Sequence, residues 1–155
     1  MLDQEVIKLG LDICGALKKC ENVHGAIKES KVFLANGVYT LGSANDSGVP
    51  CSGDLSCMAP EIYWGERYDH RADVYALGLL LYARLNEGCL PLIKPEFGEE
   101  QQRAAHLRRL EGEEISPPRY GSSALRQVVR KACAYEPICR YADVEELEQA
   151  LREVL

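Results

Sequence analysis

Nowhere in this 155-residue sequence is there an apolar run long enough to cross a bilayer, which takes about 20 consecutive apolar residues. No secretory signal pattern is visible either, so the expected location is the cytoplasm, with no membrane as partner. Positive charge is also short: 18 Lys and Arg stand against 24 Asp and Glu, giving a net charge of −6. Phosphate backbones need a basic face, so nucleic acid is not expected as the main partner. The seven cysteines, at positions 14, 20, 51, 57, 89, 133 and 139, include no C-x-x-C pair. That spacing argues against a zinc site and against a disulfide lattice, and reduced, largely buried thiols are the expectation. Internal repeats and low-complexity segments are absent as well.

What the sequence does contain is organised around residues 68–88, YDHRADVYALGLLLYARLNEG. Asp69 suits a helix start and Gly88 a helix stop, and residues 74–83 carry no charge on any side. A helix apolar all round has to be covered all round, so the other segments should pack against it. Asp73 is the exception, an acid one turn into a greasy cylinder. A carboxylate buried there needs N–H groups to satisfy it, so it is expected to pin a nearby loop.

Around this core, residues 3–20 read as an amphipathic helix with Val6, Leu9, Ile13 and Leu17 on one face. Val32-Phe33-Leu34 and Val38-Tyr39-Thr40-Leu41 flank Asn36-Gly37, a strong hairpin signal, because both turn residues tolerate positive φ. Residues 42–57, rich in Gly, Ser, Asn and Asp, read as a loop. Residues 99–110 read as a basic helix with a thin apolar stripe of Ala104, Leu107 and Leu110, either solvated or serving as a docking surface. Leu125, Val128, Val129, Ala132 and Cys133 mark another helix, and Asp143 with Glu146 opens the last one. The expected architecture is one domain over 1–155, mainly α with a small β-hairpin.

A helix, a loop with His24, a hairpin, a polar loop, then Ala59-Pro60-Glu61 and Asp73-Val74-Tyr75-Ala76-Leu77-Gly78 together resemble the C-terminal, larger lobe of a protein kinase. Asn86-Glu87-Gly88 with Leu90-Pro91, and Arg140-Tyr141 before the last helix, are similar to the bacterial serine/threonine branch. The resemblance implies that Glu61 forms a buried ion pair with Arg140, and that Asp73 holds the backbone of the catalytic loop. The smaller N-terminal lobe, with its Gly-rich loop and its lysine-bearing strand, is not found: no G-x-G-x-x-G occurs.

The same resemblance shows what has changed. Against the family's H-R-D-x-x-x-x-N loop, the chain reads His24-Gly25-Ala26-Ile27-Lys28-Glu29-Ser30-Lys31. Ala26 stands where the base should be, and a methyl group accepts no proton. Lys31 stands where an Asn would hold Mg²⁺, and its cation repels the metal. Ser43-Ala44-Asn45 falls on the family's D-F-G, so a neutral Ser43 replaces the carboxylate that bridges metal to ATP. Only Lys28 survives among the phosphate-handling side chains. Losing one base or electrostatic group commonly costs about 10²–10⁴-fold in rate.

The expectation is therefore a catalytically inactive kinase-like lobe, without cofactor or metal, acting as a protein-interaction or regulatory module. Its partner would be a protein such as an active kinase or a separate N-lobe, and apolar surface left by the small lobe makes a homodimer the other candidate. The alternative is a fragment of a serine/threonine kinase that transfers phosphate once a missing N-lobe completes the cleft.

Overall fold

The computed structural model describes residues 2–44 and 49–155. Among these residues there are six α-helices and one two-stranded antiparallel sheet: α1 (Leu2–Leu17), β1 (Val32–Ala35), β2 (Val38–Leu41), α2 (Pro60–Tyr63), α3 (Arg71–Arg84), α4 (Glu99–Leu110), α5 (Ser123–Ala132) and α6 (Val144–Glu153). Short 3-10 turns at Glu29–Lys31 and Pro137–Cys139 complete the regular structure among the described residues.

Helix α3 is the hub. Every residue from Ala72 through Tyr82 is buried, and α1, α5 and α6 all pack on it. It is shorter than the sequence suggests at both ends. Asp69 lies outside the helix and accepts the Arg71 N–H at 2.9 Å, while the last turn closes at Leu85. Glu87 and Gly88, at φ 56 and 83, then turn the chain, and the Gly88 N–H returns to the Ala83 carbonyl at 2.8 Å. Gly78 lets α3 meet α5: a Cβ there would stand 2.8 Å from Ala132 Cβ and 2.9 Å from Cys133 Sγ. Only hydrogen fits at that crossing.

Helix α1 buries Val6, Leu9, Ile13 and Leu17, with Ile7 and Cys14 beside them, and ends at Leu17 instead of running to residue 20. The hairpin pairs Val32 with Leu41 and Ala35 with Val38, and Asn36 and Gly37 take the positive φ values of 52 and 76 that its tight turn requires. It packs through β2 on α1, where Asp12 accepts the Tyr39 N–H at 3.0 Å. In α6, Asp143 caps the helix by accepting from the Glu146 N–H at 2.8 Å.

Two expectations are corrected. Cys51 and Cys57 are joined as a disulfide, with Cα atoms 6.0 Å apart, so these two are not reduced thiols; the loop folds back on itself and brings them together. Of the free cysteines, Cys14 and Cys133 are buried and Cys139 is exposed. The buried face of α4 is Ala105, His106, Arg109 and Leu110, while Ala104 is exposed and Leu107 half-buried. A basic side chain, Arg109, thus points inward, because carbonyls of the preceding loop wait for it there.

Candidate functional site

The loop at 24–31 is held from below by α3. Asp73, 2 % exposed, accepts the His24 N–H at 2.7 Å through Oδ2 and the Gly25 N–H at 3.0 Å through Oδ1. Burial pushes this carboxyl above its ordinary range, and the two N–H donors pull against that shift. His24 Nδ1 accepts the Ala26 N–H at 3.2 Å, so its proton sits on Nε2, which donates to the Gly42 carbonyl at 3.0 Å. One imidazole therefore ties the loop to the end of β2.

That tie, together with the Gly42 N–H donating to the Lys31 carbonyl at 2.7 Å, brings both ends of the site together. Lys31 Nζ donates to the Ser43 carbonyl at 3.4 Å. Ser43 and Ala44 are exposed, and Ala26 is buried. Asn45 lies outside the described residues. Among the described residues, no group of three His, Cys, Asp or Glu side chains stands close enough to hold a metal ion.

Lys28, in the same loop, is half-buried and held by an acid. Its Nζ pairs with Asp54 at 2.8 Å, and Asp54 also accepts from the Ser56 hydroxyl at 2.5 Å and the Ser56 N–H at 3.0 Å. Burial raises the Asp54 pKa, but Lys28 and Ser56 together outweigh it and hold the carboxyl below the usual range. Glu29 receives a two-pronged ion pair from Arg84 at the end of α3. The Cys51 N–H donates to the Gly25 carbonyl at 2.6 Å. Beside this loop lies a groove of about 320 Å³, floored by Ala76, Leu80 and Ala83 of α3 and walled by Lys28 and Cys57.

The segment after the disulfide is fixed twice. Glu61, in the first turn of α2, receives Arg140 Nη1 at 2.7 Å and Nη2 at 2.8 Å, with both residues under 5 % exposed. Arg140 also donates to the carbonyls of Arg71, Ala134 and Tyr135, so no edge of the guanidinium is wasted. Arg109 donates to the Met58 carbonyl at 2.9 Å and the Leu55 carbonyl at 2.5 Å, and Trp64 Nε1 to the Leu110 carbonyl at 2.8 Å.

Sequence reasoning missed Asp54, Arg84 and Arg109. For Asp54 a signal existed, since Asp-x-Ser is a local turn former. For Arg109 there was none, because an arginine among Arg103, Arg108 and other charges reads as solvated.

No family model matches the chain. Serine/threonine-protein kinase Pkn1 of Myxococcus xanthus is 32 % identical across 97 % of this chain, which spans only 24 % of that relative. Serine/threonine-protein kinase PknD of Chlamydia trachomatis is 35 % identical across 63 % of the chain, a match taking in 10 % of the relative's length. Tyrosine-protein kinase MasK of Myxococcus xanthus is 35 % identical across 66 % of the chain and 16 % of its own length. The chain is thus homologous to bacterial serine/threonine and tyrosine protein kinases, and it spans a quarter or less of their length.

Proposed function

We propose that this chain is a kinase-like large lobe that has lost phosphoryl transfer and works as a protein-interaction or regulatory module. The observation that carries the reading is the Lys31 ammonium set against the backbone of Ser43 at 3.4 Å. In an active kinase these two positions gather magnesium around ATP; here one is a cation and the other a neutral hydroxyl, while the base position is the methyl group of Ala26. Metal ions and a base supply most of the rate in phosphoryl transfer, so their combined replacement removes the chemistry but leaves the frame.

The frame is what a partner would use. The groove beside Lys28 and Cys57 is apolar at its floor and charged at its rim, a combination suited to an extended protein segment. The partner would be an active kinase or a separate N-lobe, with a second copy of this chain as the other candidate. Phe33, Leu34 and Val38 on the hairpin, all about half exposed, are the apolar surface such a contact would cover.

Titration with ATP and Mg²⁺ tests the loss of nucleotide chemistry: the melting temperature should stay where it is, and a clear upward shift would count against the reading. A second reading, a fragment that transfers phosphate when an N-lobe completes it, is supported by the chain's spanning only 24 % of Pkn1. For that reading, mixing with a supplied N-lobe should yield labelled phosphate on a protein substrate. Continued inactivity would reject it.

A further inference from the structure

Among the described residues one pair of cysteines is bonded, Cys51 to Cys57, while Cys14, Cys20, Cys89, Cys133 and Cys139 are free thiols. The pair closes a small ring, its cysteines only 6 residues apart in sequence. The chain entropy that a cross-link removes from the unfolded state grows with the loop it closes, so a ring this short adds little to the stability of the whole fold. Its effect is local.

Three contacts join the ring to the 24–31 loop and to the groove beside it. The Cys51 N–H donates to the Gly25 carbonyl at 2.6 Å, Asp54 inside the ring pairs with Lys28 at 2.8 Å, and Cys57 lines the groove together with Lys28 and Ser56. Cys51 itself sits at φ 55, a region that a non-glycine residue rarely enters and keeps only where its surroundings hold it. Here the bond to Cys57 and the hydrogen bond to Gly25 do the holding. Glu29, next to Lys28 in sequence, is engaged by Arg84, so Asp54 is the acid that covers the Lys28 ammonium.

We propose that the Cys51–Cys57 bond is a redox latch on the groove. Closed, it fixes the groove wall and keeps Asp54 on Lys28; opened, it frees residues 51–57 and uncovers the Lys28 ammonium at the rim. The reductant is a low-molecular-weight thiol such as glutathione. One glutathione thiolate attacks a ring sulfur, the S–S bond breaks, and a mixed disulfide forms; a second thiolate then attacks the glutathione sulfur and releases the other cysteine. Each cysteine thiolate released takes up the proton that a glutathione thiol gave up, so two electrons pass and two glutathiones leave as one disulfide. Cys51 and Cys57 are nearly buried, at 6 % and 3 % exposed, whereas Ser52 and Gly53 between them are exposed. Attack therefore follows a local opening of the ring, with α3 and its packing intact. The latch does not depend on whether phosphate transfer is lost.

The ¹⁵N-labelled chain, equilibrated in glutathione buffers from oxidised to reduced, tests this by alkylation with peptide mass mapping and by NMR with amide hydrogen exchange. In oxidised buffer Cys51 and Cys57 should resist alkylation. In reduced buffer both should be alkylated while the chain stays folded, the amide signals of residues 24–31 and 51–57 should shift, those of α3 and α5 should stay, and the Cys51 amide should exchange about tenfold faster. Cys51→Ser should show the signals of the reduced parent in every buffer; should it fail to fold, the parent's own reduction decides. Alkylation of both cysteines in oxidised buffer, reduction only when the whole chain unfolds, or reduction that leaves the 24–31 signals and Cys51 exchange unchanged would each overturn the proposal.

Discussion

The Asp73 carboxylate accepts the backbone N–H of His24 at 2.7 Å across 49 residues of sequence, and the N–H of Gly25 at 3.0 Å on its other oxygen. A helix interior and a loop are thereby locked as one unit. Asp73→Ala leaves both N–H groups buried without acceptors, at about 1–3 kcal/mol each before relaxation. The expected outcome is a loss of roughly 2–4 kcal/mol in urea unfolding, with Asp73→Asn intermediate because the amide keeps one oxygen acceptor. A variant as stable as the parent would remove Asp73 from its role.

The Glu61–Arg140 pair is the second lock. Truncating Glu61 to Ala leaves a guanidinium with no charge partner in a site closed to water, which commonly costs about 3–5 kcal/mol. Replacing both residues with apolar ones of similar volume should recover much of that loss. Denaturant midpoints of the two single variants and the double variant measure the coupling directly.

His106 makes stability depend on pH. Burial, reinforced by Arg109, pushes its pKa down to about 4 from an ordinary 6.5. A folded-state pKa below the unfolded one means that the unfolded chain takes up the proton first. Its stabilising contribution is therefore complete above about pH 6.5 and is lost as pH falls from there through 4. The shift corresponds to about 3 kcal/mol at most. In His106→Gln, the slope of unfolding free energy between those pH values should flatten; an unchanged slope would assign the pH dependence to other groups.

Gly78→Ala places a methyl group 2.8 Å from Ala132 Cβ and 2.9 Å from Cys133 Sγ. Helix propensity alone predicts stabilisation by about 1 kcal/mol, whereas overpacking predicts a loss of about 1–3 kcal/mol. Both contacts belong to a packed neighbouring helix and its cap, so overpacking should win. A raised melting temperature would show that α5 can move aside.

Local pattern carried most of the element list. Asn36-Gly37 announces the hairpin, the uncharged run at 74–83 announces the buried helix, and Asp143 with Glu146 announces α6, because each is written in residues that are neighbours along the chain. Helix α4 shows where pattern stops: its apolar letters suggested Ala104, Leu107 and Leu110 inward, yet Ala105, His106, Arg109 and Leu110 face in. A stripe that thin does not orient a helix. The carbonyls of Leu55 and Met58, about 50 residues earlier, do.

The same division runs through the candidate site. Which chemical groups are present at 24–31 and 43–44 is fixed by the sequence alone: a methyl group cannot become a base, nor an ammonium a metal ligand, in any fold. Which charges answer one another was decided only in three dimensions. Lys28 finds Asp54, Arg84 finds Glu29, and Arg109 finds no acid among the described residues, since ion pairing depends on distances of a few ångströms between segments whose separation along the chain carries no such information.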